Sequence, residues 1–253
     1  MKIKQGYVSS VVKGFDFLEK HNLKNYDNPN EPMVIFGCYN KVDYDIVNNH
    51  KSTVVIRWCG GDSLDVVNPS FFQRDNFIHL TPLINVHAVL NKKGINCHLK
   101  KICTARKPQP LILGSRVYSY LNKHKPNYYG KLLVDQIKDK YDFIIGDLSI
   151  SQKDWRAGAC EQFYSQAFIG LALSTHAGGA GGVVEMGLRG IKVVTNVVNL
   201  PNVIPWNNLE DVENAIIKEK ENIGKVNYTL AHEVYNSMIH DMEFFDLDKI
   251  LNE

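Results

Sequence analysis

The run Tyr164-Ser165-Gln166-Ala167-Phe168-Ile169-Gly170-Leu171-Ala172-Leu173-Ser174-Thr175-His176-Ala177-Gly178-Gly179-Ala180-Gly181-Gly182-Val183-Val184-Glu185, continuing as MGLRGIKVVTN to Asn196, decides how this chain is read. Ala167 to Leu173 is a short apolar run with the length of a buried strand. Glycines at 178, 179, 181 and 182 follow it, and a helical pattern opens at Gly182. Ile191 to Asn196, rich in β-branched residues, is a second strand. A strand, a glycine-rich turn and a helix N-terminus in succession suit a phosphate. Glycine lets the backbone approach a ligand closely, and the first helical turn presents free N–H groups with a partial positive charge.

Working outward, the same alternation continues on both sides. Upstream, strands are expected at Val117–Leu121 and Asp142–Asp147, and helices at Tyr129–Lys140 and Ala159–Gln166. The first of these helices is expected to bury Leu132, Leu133, Gln136 and Ile137. Downstream, Glu210–Lys220 and Leu230–Glu243 read as helices. Residues 108–253 thus form a Rossmann-like α/β domain. Ala105-Arg106-Lys107-Pro108-Gln109-Pro110 reads as a linker. Before it, Met33–Gly37 and Thr53–Asp62 read as strands flanking a helix in DYDIVNNH, with weaker strands at Phe77–Leu80 and Ile95–Leu99. Val8, Val11, Val12, Phe15 and Leu18 are spaced for one face of an N-terminal helix. The expected architecture is two α/β Rossmann-like domains, residues 1–107 and 108–253, facing a cleft, the first one small.

Composition excludes several classes. The chain has 253 residues, 44% hydrophobic and 22% charged, as in ordinary globular proteins. A formal charge of +2 provides no strong pull toward nucleic acid. No apolar run reaches the roughly 20 residues that span a bilayer. The N-terminal residues carry charges within their apolar stretch, unlike a signal peptide. Five cysteines, an odd number with no CxxC pair, argue for a reducing compartment over disulfides or zinc. A cytoplasmic protein is expected.

The glycine-rich turn lacks the GK[ST] of a Walker A loop. It also sits late in its domain with an immediate acid, unlike a dinucleotide fingerprint. The run from Tyr164 to Asn196 resembles the donor-site core of GT-B-type glycosyltransferases, its EMGLRGIKVVTN portion matching their E-x-G-x-x-G-x-x-V-V stretch. The resemblance covers roughly residues 108–215, and more faintly 33–65, where VIRWCGGDSL looks like a G-x-D strand end. It implies metal-independent transfer of a sugar from a nucleotide-diphosphate donor to an acceptor hydroxyl, the donor sugar being a substrate and no separate cofactor being needed. By position, Glu185 would contact the ribose, and Gly178, Gly179, Gly181, Gly182 and Val183 would line the diphosphate. The second acid of many retaining members falls at Ala177, so retaining chemistry is not implied.

Arg116 is a further diphosphate candidate, since a guanidinium fork suits phosphate oxygens. Candidates for a catalytic base are Asp62, Asp43 and His176. Asp43-Tyr44-Asp45 has the D-x-D spacing that can chelate magnesium or manganese, but an acidic helix start explains it too, and no metal site is assigned. Gly146-Asp147 can border the base pocket, with a helix cap as its plainer role. Two other functions fit the same motif: a catalytically degenerate nucleotide-sugar-binding module, and an NAD-dependent Rossmann oxidoreductase.

Overall fold

A computed structural model describes residues 2–12, 17–64, 66–102, 106–121, 126–146, 160–174 and 180–238. The chain divides into two compact units, one built on residues 1–105 and the other on Arg106–Met238.

Unit 1 carries a six-stranded sheet in which every paired strand is parallel. Its strands are β1 (Gln5–Val8), β2 (Lys24–Asn25), β3 (Met33–Phe36), β4 (Val54–Arg57), β5 (Phe77–Thr81) and β6 (Cys97–Leu99), in spatial order β2-β1-β3-β4-β5-β6. The helices α1 (Phe17–Lys20), α2 (Lys41–Asn49) and α3 (Ile84–Lys92) connect them. β3 is buried at every position, which is why Met-Val-Ile-Phe is apolar without alternation. Ile3, Val34, Phe36, Val55 and Leu80 form a core on the sheet.

Val8 lies on a strand, not on the N-terminal helix expected from its spacing. Gln5–Val8 is a strand inserted between β2 and β3, with Val8 opposite Phe36, and among the described residues of this stretch only Phe17–Lys20 is helical. The helical spacing of Val8, Val11 and Val12 is a local pattern overridden by pairing with residues some 30 positions away. The Gln5 side chain is buried, donating to the carbonyls of Asn28 (2.6 Å) and Glu31 (3.0 Å) and accepting from the N–H of Asn28 (3.1 Å). It thereby orders the polar turn before β3. The helix α3 was not anticipated by periodicity, yet it buries Val86 and Leu90.

Unit 2 carries a five-stranded parallel sheet, so the shorter first block builds the wider sheet. Its strands are β7 (Arg116–Tyr120), β8 (Phe143–Gly146), β9 (Ala167–Leu171), β10 (Lys192–Val194) and β11 (Val203–Ile204), in spatial order β11-β10-β9-β7-β8. The helices are α4 (Lys131–Ile137), α5 (Glu161–Tyr164), α6 (Ala180–Gly187), α7 (Leu209–Glu219) and α8 (Tyr228–Ser237). The α4 face differs from expectation: Val134 and Ile137 are buried, whereas Leu132 is exposed. Asn208 caps α7 with a reciprocal box to Asp211, as its sequence NLED allows. Every β9 residue is buried, and the chain order β9, α6, β10 matches the expected strand, helix and strand. No helix among the described residues is long and apolar enough to cross a membrane.

Candidate functional site

In unit 2, α6 starts beyond the C-terminal end of β9, the edge of a parallel sheet where ligands bind. The helix is fixed from behind. Val183 is fully buried, and the Asn202 amide donates to the carbonyls of Val183 (3.0 Å) and Ile191 (3.3 Å). Gly187 abuts Asn202, where a Cβ would lie 2.7 Å from the amide carbon, so that glycine is required by packing.

Gly181 and Gly182 are different. Among the described residues, a Cβ on Gly181 meets nothing within 4 Å, and one on Gly182 meets only the Tyr164 hydroxyl at 3.6 Å. Neither has a positive φ. Glycine in a helix costs up to about 1 kcal/mol against alanine. Among the described residues, nothing gives a steric or conformational reason for these two glycines. Space left open beside a first-turn backbone is what a phosphate group needs.

Glu185 lies one turn in, only 6% exposed. Its carboxylate is ion-paired with Arg106 and accepts from the Tyr164 hydroxyl at 3.3 Å. Tyr164 is buried against Tyr118, their rings edge-on at 5.3 Å. Burial is the main reason its hydroxyl is pushed well above the ordinary range, so it stays a neutral donor to Glu185. Arg189 donates to the Glu185 carbonyl (3.0 Å) and pairs with Glu161. Arg106, in the segment read as a linker, is the residue sequence reasoning missed. Its partner lies 79 positions away, and no local pattern reveals it. Gly130 at φ 82 packs against Leu173, where a Cβ would lie 2.7 Å away, which sets Lys131 at the start of α4 near the end of the β9 segment.

The expected site residues are only partly gathered. Gly181, Gly182, Val183 and Glu185 share α6, with the Val183 side chain in the core and only its backbone available to a ligand. Gly178, Gly179, His176, Ala177 and Asp147 lie outside the described residues. Arg116 is not gathered there. It begins β7, level with Ala167 at the N-terminal end of the sheet, bonded to Asp142 (2.9 Å) and the Phe143 carbonyl (2.8 Å). A guanidinium on that edge is remote from a ligand at the N-terminus of α6.

In unit 1 the two candidate bases, Asp62 and Asp43, are both buried in hydrogen-bonded turns. Asp62 is 0% exposed and accepts from the backbone N–H groups of Cys38, Cys59, Gly60 (2.8 Å) and Ser63. Burial pushes its carboxyl up to about 6, with those N–H groups pulling it the other way. It clamps the turn after β4 to the end of β3, and no oxygen is left facing outward for an acceptor hydroxyl. Asp43, also fully buried, accepts on Oδ2 from the Ser9 hydroxyl (2.7 Å) and the N–H groups of Tyr39 (2.8 Å) and Asn40 (3.1 Å), forming the capping box of α2, while its Oδ1 has no hydrogen-bond partner among the described residues. Asp45, two positions on, is exposed and paired with Lys41. The D-x-D acids therefore face apart, as i and i+2 on a helix must. Among the described residues no group of three or more His, Cys, Asp or Glu side chains could hold a metal ion.

No protein-family model matches the chain, and no curated protein sequence matches it. Among solved structures, the chain is similar to TarM. The TM-score is 0.57 at 13% identity, over 94% of this chain and 57% of the TarM chain. The chain thus spans little more than half the length of that protein, and the likeness is one of fold: two Rossmann-like α/β units.

Proposed function

We propose that this chain is a GT-B-type glycosyltransferase whose unit 2 holds a nucleotide-diphosphate sugar at the N-terminus of α6. The observation that carries this is the pair Gly181 and Gly182, which occupy a helix with open space where side chains would stand. The TarM-like fold supports the same reading. In the reaction an acceptor hydroxyl attacks the anomeric carbon and the bond from that carbon to the diphosphate breaks. The hydroxyl proton passes to a base and the nucleoside diphosphate leaves with the bonding pair. First-turn N–H groups of α6 stabilise the growing charge on the leaving group without needing a metal. Glu185, held at one turn's depth by Arg106 and Tyr164, is the acid that meets the ribose hydroxyls.

The test is a thermal-shift screen of UDP, GDP, ADP, their sugars and NAD against the wild type and Gly182→Val. One nucleoside diphosphate should raise the melting temperature, and the valine should abolish that rise by filling the open space. Should NAD give the largest rise, or should the valine variant bind as the wild type does, the donor-site assignment fails.

A further inference from the structure

At the opposite edge of unit 1 from Asp43 and Asp62, where β1 and β2 begin, lies a pocket of about 390 Å³. That size is in the range of sites for small molecules, roughly 300–1,000 Å³. Lys2, Lys4 and Lys24 line it, together with His21, Asn22, Ile3 and Leu23. The lysines converge for a structural reason. Asn22 adopts a left-handed φ of 50, turning the chain after α1 so that the N–H of Lys24 donates to the Lys4 carbonyl at 2.9 Å. Lys2 and Lys4 stand two apart on the segment leading into β1, so they share a side.

No acidic residue is among those lining residues, and none of the three lysines is ion-paired among the described residues. Elsewhere in the chain Lys41, Lys131, Lys140 and Lys192 each meet a carboxylate. Three like charges around one concavity repel one another, and they focus a positive field into it. Leu23, half-buried and packed against the core, is an apolar part of the lining.

We propose that this pocket binds a small organic phosphate, with the dianion facing Lys2, Lys4 and Lys24 and the organic body lying on Leu23. Ammonium groups bind phosphate as point charges, and three of them around one dianion lower the repulsion that the empty pocket carries. The site does not rest on the donor assignment in unit 2.

Isothermal titration of the full chain with ribose 5-phosphate, and with ribose as the uncharged control, tests it. One saturable site is expected for the phosphate and none for ribose. Lys2→Gln, Lys4→Gln and Lys24→Gln combined should weaken binding at least about tenfold while the urea midpoint stays put. Raising the salt should weaken wild-type binding, because exposed ammonium groups are screened. Gly182→Val should bind as the wild type does. If the triple variant is destabilised, single Lys24→Gln, read at low and high salt, carries the same test. Absence of saturation, binding insensitive to the lysine changes, or loss of binding in Gly182→Val would overturn the proposal.

Discussion

Two strand-end segments of this protein pair glycines with an acid, Gly60-Gly61-Asp62 in unit 1 and Gly181-Gly182 with Glu185 in unit 2, and they are built to opposite ends. The first is closed on itself. Gly60 sits at φ 140, a conformation only glycine tolerates, and Asp62 spends its oxygens on four backbone N–H groups. The second is open. Its glycines have ordinary helical φ and unfilled space, and its acid is held by side chains, Arg106 and Tyr164, rather than by the loop backbone. A glycine beside an acid marks a tight turn and a ligand cradle equally well. Counting where each hydrogen bond goes separates them.

The comparison breaks most easily at Asp62. Asp62→Ala should cost about 3–5 kcal/mol, because several buried N–H groups lose their acceptor at once. Urea unfolding measures it, and a cost under about 1 kcal/mol would mean the loop is not clamped as described.

Acid gives the next largest effect, again in unit 1. Trp58 can only donate to His79 Nδ1 (3.2 Å), so Nε2 carries the proton facing the Phe72 carbonyl (2.7 Å), and burial pulls the ring down to about 4. A histidine lowered from 6.5 binds fewer protons folded than unfolded. Its contribution is complete above pH 6.5 and is lost as pH falls toward 4, on the order of 2–3 kcal/mol. Unfolding free energies at pH 7 and 4.5 should show this loss, and His79→Leu should flatten it. An unchanged slope in that variant would assign the acid sensitivity elsewhere.

The smallest effect sharpens the open end. Gly181→Ala should leave stability unchanged or raise it by up to about 1 kcal/mol, since alanine favours the helix and meets no neighbour. A loss of stability above about 1 kcal/mol would show that the glycine serves the fold and not a ligand.

Much of the fold was legible in the sequence because its strands are buried on both faces. Runs such as Met33–Phe36 and Ala167–Leu171 are apolar throughout, bounded by turn residues, and alternate with helical stretches. That pattern admits little besides a parallel α/β sheet. The first strand and the buried face of α4 were not legible, because both depend on partners distant in sequence. β1 is a strand only because β3 and β2 flank it, and Leu132 is exposed because Val134 and Ile137 take the inner positions.

For the site, the sequence by itself determined that a glycine-rich helix start with an acid follows a buried strand in the second half of the chain. That information is local, carried by residue types within one turn of one another. Only the tertiary structure decided which acids are committed to the fold. Asp62 is consumed by backbone N–H groups, one Asp43 oxygen is taken by the Ser9 hydroxyl and two N–H groups, Arg116 stands at the far edge of its sheet, and Arg106 reaches Glu185 across 79 residues of chain. The physical reason is that a carboxylate's availability is set by which donors surround it in space, and those donors come from segments that no local pattern connects.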